Sequence, residues 1–162
     1  MIRLVIAVAL LLATMAIAIP AITDATQTRT TTEYDAAVTR IERAGRELVM
    51  NEDATRTQAH AATRRVEITI PAESFTTPET EFVAIGGSPE TTGNQPIVTY
   101  ALAEMSAKTP PIRRVISLPV PIRTPQGPVV FRSAGSHSIT LSLIRERSRT
   151  VIVITRGYSS NV

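Results

Sequence analysis

The chain has 162 residues, a formal net charge of +3 at pH 7 and no cysteine, which excludes disulfides, thiol catalysis and cysteine-based zinc sites. Tryptophan is absent and only 4% of residues are aromatic, so no stacking platform for single-stranded nucleic acid or sugar rings is expected. The basic residues are sixteen Arg and one Lys, mixed with fourteen acids and without a block of five like charges, so no nucleic-acid partner is expected.

Leu4 to Ile22 carries no charge. As a helix it would rise roughly 28 Å, close to the ~30 Å hydrocarbon core of a bilayer. Residues 1–22 are therefore expected to be a transmembrane anchor or signal segment. A cleaved signal would use Met1 to Arg3 as n-region, Leu4 to Met15 as h-region and Ala16-Ile17-Ala18 as the small-x-small site. The length favours a retained anchor. Positive charge is denser before the run than after it, so the positive-inside rule predicts a cytoplasmic N-terminus and an extracytoplasmic body, with the lipid bilayer as a partner. Pro20 is expected to kink or break the helix.

Residues 23–50 read as an amphipathic helix. Tyr34, Ala37, Val38, Ile41, Ala44, Leu48 and Val49 form one stripe, opposed by Arg40, Glu42, Arg43, Arg46 and Glu47. Tyr34, Val38, Ile41 and Leu48 are the candidate partner-packing residues, and the same stripe is the candidate cover for a sheet. Gly45 weakens this helix by about 1 kcal/mol relative to Ala. Residues 51–64 are polar and read as a linker.

Residues 65–157 change character to alternating, Thr-rich, β-forming sequence. Seven strands are predicted: residues 65–70, 81–85, 96–103, 112–118, 129–132, 136–144 and 150–156. Six of the eleven prolines fall between Pro110 and Pro128, so that stretch reads as edge strand and extended loop. Val151 to Ile154 is apolar on both faces and is expected to lie centrally. Arg145 to Arg149 connects the last two strands. Its Arg145, Arg147 and Arg149 are the candidate contacts for an acidic partner. Residues 158–162 read as a tail. The fold class predicted is α+β: a transmembrane helix continuing into an amphipathic helix, packed on a mostly antiparallel sheet domain of about seven strands.

Sites of chemistry are sparse. His60 and His137 lack advertised partners, Asn51-Glu52-Asp53 lacks the spacing of a calcium loop, and Gly86-Gly87 lacks phosphate-loop companions. No catalytic, cofactor-binding or metal residue is assigned, no small-molecule substrate is expected, and the chain is read as a non-enzyme.

An apolar N-terminal run, Pro20, the stripe from Tyr34 to Val49 and the strands from Arg65 to Arg156 together resemble the type IV pilin architecture. The segments Val66 to Pro71, Ser74 to Thr76, Ile97 to Tyr100 and Ser138 to Leu143 resemble a small haloarchaeal family of unknown function with a pilin-like layout. The chain departs from processed pilins in having no glycine before Gly45 and no acid before Asp24, so it lacks the prepilin peptidase signature. The resemblance implies an accessory component of a pilus or secretion complex, with other membrane, pilus or secretion proteins as partners. The alternative is a secreted or periplasmic ligand-binding β domain with a cleaved signal.

Overall fold

The computed structural model describes residues 2–74, 77–103 and 110–157, and for residues 2–5, 12 and 15–30 the backbone alone. The expected tail, 158–162, lies outside the described residues. Among the described residues one α-helix, α1 (Ile2–Asn51), precedes a three-residue 3-10 turn (Gln58–His60) and eight strands: β1 (Thr63–Ile70), β2 (Thr80–Ile85), β3 (Ile97–Leu102), β4 (Ile112–Val115), β5 (Ile122–Arg123), β6 (Val129–Phe131), β7 (Gly135–Glu146) and β8 (Arg149–Arg156).

The expected transmembrane anchor is corrected by the structure. Among the described residues no helix is long and apolar enough to cross a membrane. From Thr31 the helix carries Glu33, Asp35, Arg40, Glu42, Arg43, Arg46 and Glu47, which no hydrocarbon layer would accept. The single-pass localisation, with a cytoplasmic N-terminus and an extracytoplasmic domain, falls with the anchor, as does the signal-anchor reading. The two helical segments expected to meet at Pro20 are one continuous element through residue 20.

The expectation of a single sheet of about seven strands is corrected too. The described residues form two four-stranded sheets, ordered β1-β7-β8-β5 and β4-β3-β2-β6. All pairs are antiparallel except β5 with β8. The physical reason is that each sheet has its own apolar face, and two such faces are buried most economically against one another. Val66, Ile68, Ile70, Ile139, Leu141, Leu143, Ile152 and Ile154 of the first sheet share one cluster with Val83, Ile85, Val98, Tyr100, Val129 and Phe131 of the second. The helix supplies the third wall of that cluster through Tyr34, Ala37, Val38, Ile41 and Leu48. The β8 strand lies inside its sheet, as two apolar faces require.

Helix and sheets approach closely. A Cβ added to Gly45 would meet the Leu118 side chain at 2.6 Å and Ile152 Cδ1 at 3.3 Å, so the helix weakness at that position serves a tight crossing. The Asp35 carboxylate accepts from Arg114 Nε at 2.6 Å, and Glu42 accepts from the Ser117 backbone N–H at 2.7 Å. At one end the loops interlock around the buried Thr124. Its Oγ accepts from Asn94 N–H at 2.9 Å while its own N–H donates to Asn94 Oδ1 at 3.0 Å. Gly93, at φ +82°, passes so close that a Cβ there would collide with the Thr124 hydroxyl.

Tyr34 joins helix to sheet. Its hydroxyl lies 2.8 Å from Thr80 Oγ, and its ring packs on Tyr100 with centroids 4.3 Å apart. Burial pushes the Tyr34 phenol up from 10.0 to about 12, against the opposing effect of the Thr80 hydrogen bond. Below pH 10 both folded and unfolded chains hold this proton, and the contribution to stability is complete. Above it the unfolded chain ionises first. Stability should therefore fall by roughly 2–3 kcal/mol as pH rises from 10 to about 12. Tyr34→Phe should be less stable at neutral pH by about 1 kcal/mol, through the unpaired Thr80 hydroxyl, and show a shallower alkaline decline. Urea unfolding across pH 8 to about 12 checks this, and equal slopes in both proteins would remove Tyr34 as the source.

Candidate functional site

The four residues expected to meet a partner are used inside the chain. Tyr34, Val38, Ile41 and Leu48 are 1, 8, 1 and 0% exposed, covered by the chain's own β domain. Apart from Met50 near the C-terminus of α1, 80% exposed, the described large apolar side chains of the helix that nothing covers cluster at its other end, where Ile6, Val8, Leu10 and Leu11 are 54, 50, 60 and 59% exposed. The Thr14 hydroxyl, in the same stretch, turns back onto the Leu10 and Leu11 carbonyls at 3.0 and 2.9 Å. It is satisfied within the helix and leaves the surface around it apolar. The sequence signal for these residues was the uncharged run itself.

The polar candidates disperse. Exposed His60 lies in the 3-10 turn. His137 lies on β7, with Nε2 2.7 Å from the Ser133 carbonyl and its ring stacked on Phe131. Glu52 pairs with Arg64 at 3.1 Å. Gly86 and Gly87, at φ +93° and +148°, turn the chain out of β2. Among the described residues no three His, Asp or Glu are grouped to hold a metal ion. A cleft of about 430 Å³ between α1 and β1 is walled by charges of both signs, Arg40, Arg43, Glu47, Arg65 and Glu67. Another of about 520 Å³ lies over Phe82 and Ala101 of the second sheet, flanked by Arg113 and Arg132.

The tip of the β7–β8 hairpin is the most one-sided in charge. Arg147 and Arg149 line a cleft of about 470 Å³ together with Pro121, Arg123, Glu146 and Val151. Arg123 joins from β5, a strand absent from the sequence prediction, and donates through Nη2 to Glu146 Oε2 at 2.9 Å. Arg145 is exposed but is not among the described residues lining this cleft. The sequence signal that could have found Arg123 was weak, a single Ile-Arg step between prolines.

Among known protein families, the profile of the domain of unknown function DUF7311 fits residues 1–157. The chain belongs to the DUF7311 family. No curated protein and no solved structure matches it.

In this DUF7311 chain the hairpin tip also carries backbone strain. The five-residue connection expected from the sequence is a two-residue turn, Arg147-Ser148. Both central residues have positive φ, 44° and 73°, which is the type I′ geometry that matches strand twist and favours Asn-Gly. Side chains with a Cβ cost roughly 1–2 kcal/mol each in this region. Replacing the pair by Arg147→Asn with Ser148→Gly should raise stability by about 1 kcal/mol after the added flexibility of the unfolded chain is counted. The urea midpoint should rise at unchanged slope. An unchanged or lower midpoint would show that other contacts already relieve the turn.

Proposed function

We propose that this chain is a non-enzymatic assembly subunit of pilin-like build, an accessory component of a pilus or secretion complex. The reading is supported by one division within α1. Its C-terminal part is held in the core by the stripe from Tyr34 to Leu48, and its N-terminal part exposes Ile6, Val8, Leu10 and Leu11. Apolar area left in water is unfavourable by roughly 25 cal/mol per Å², and a run of such residues on one element marks an interaction surface. Packing against helices of other subunits removes that area through ridges and grooves that both helices already possess. The finer likeness, to a haloarchaeal pilin-like family, belongs to the same proposal and rests on the sequence segments from Val66 to Leu143.

The absence of cysteine from the chain makes a clean test available. Single cysteines placed in turn at Ile6, Val8, Leu10, Leu11 and Ala13 of the full-length protein should cross-link between copies, or to a purified partner subunit, with a yield that peaks at helical period. Leu10→Asp with Leu11→Asp should leave the circular dichroism of the β domain unchanged and abolish the defined assembly in sedimentation equilibrium. A wild-type chain that stays monomeric alone and with the partner, or cross-links with equal yield at every position, would sink the proposal.

A further inference from the structure

We infer that the cleft at the β7–β8 hairpin tip is a docking site for an acidic segment of a partner protein, held by Arg123, Arg147 and Arg149. This site is separate from the helix surface just discussed and stands without it. Three guanidinium groups converge on one cleft that holds a single carboxylate, Glu146. Glu146 engages Arg123 through one nitrogen, which leaves most of the five donors of that fork free. Among the described residues Arg147 and Arg149 pair with no acid. The remaining lining, Pro121 and Val151, is apolar, so the cleft offers contact for side chains between the acids as well as for the acids themselves. A lone phosphate would use the arginines and leave that apolar surface uncovered. An extended Glu-rich segment uses both. Pro121 and Arg123 also belong to β5 and its approach, at the edge of the first sheet, where an extended chain can add backbone hydrogen bonds.

The turn geometry is an independent sign. Arg147 and Ser148 occupy positive-φ positions where Asn-Gly would sit without strain. Strain that a simple substitution would remove is kept at positions where the side chain has a task, and here the side chain is one of the three arginines.

The test uses the full-length protein and a short fluorescent peptide of alternating glutamate and valine. Fluorescence anisotropy should show saturable binding that weakens with added sodium chloride, as the charges are screened within a Debye length of about 8 Å at physiological salt. Arg147→Glu with Arg149→Glu should weaken it at least roughly tenfold, since like charges are then opposed. Arg40→Glu, in the separate cleft beside β1, should leave binding unchanged. So should Leu10→Asp with Leu11→Asp, which separates this inference from the assembly role of the helix. A glutamine-for-glutamate peptide should not bind. Equal binding by the hairpin variant would overturn the inference. So would no binding of the peptide by a wild-type chain that binds inorganic phosphate or anionic vesicles.

Discussion

Everything in this fold depends on one apolar stripe being buried from two sides. Tyr34, Ile41 and Leu48 lie on α1 at helical spacing, and the inner faces of two separate sheets converge on them. Each fully buried side chain of this kind contributes on the order of 1.5–3 kcal/mol. The ion pair across the same crossing, Asp35 with Arg114, has both side chains more than a third exposed, and such pairs contribute at most about 1 kcal/mol. The apolar stripe, more than the polar contacts, therefore sets the stability of helix on sheet. Gly45 belongs to the same logic. Its low helix propensity is the local consequence of letting Leu118 and Ile152 come within contact of the helix backbone.

Much of the β domain was legible because alternation is a local signal. Val66, Ile68 and Ile70 announce β1, where one face is buried, and Ile139, Leu141 and Leu143 announce β7, where Ser142 and Ile144 on the opposite face are buried as well. What sequence could not supply is which faces meet. Two sheets sharing one core have the same strand patterns as one sheet under a helix, so the partition into two was hidden. The β5 strand was hidden for a different reason. It is two residues long between Pro121 and Thr124, and its parallel partner lies 30 positions away at Ile152. No period can be read from two residues, and parallel pairing leaves no turn signature.

The stripe and the apolar run show a related limit. An amphipathic pattern says that a face must be covered and does not say by what. The residues from Tyr34 to Leu48 were equally compatible with a sheet of the same chain and with a partner. The closeness of β-forming sequence decided for the former, through contacts such as Tyr34 with Thr80 and Tyr100. The run beginning at Leu4 was read as an anchor on length and lack of charge, both local properties. In the structure it is part of a helix that continues through residue 20 into the charged stretch of the β domain's cover, so its described part is an extension of a structural helix.

The candidate surfaces fall where local rules of stability are broken, and the interior is where they are kept. Inside, Thr124 and Asn94 satisfy each other reciprocally, and Gly93 occupies the positive-φ position that a Cβ could not. Outside, Leu10 and Leu11 are exposed on a helix, and Arg147 and Ser148 hold a turn suited to Asn and Gly. Sequences that specify one fold tend to agree with it at every level except where another demand intervenes. Stability of the isolated chain explains neither exception, because polar residues on the helix and Asn-Gly in the turn would each serve it better. The two lie at the start of the chain and at the last hairpin, joined through the core that the Tyr34 to Leu48 stripe closes.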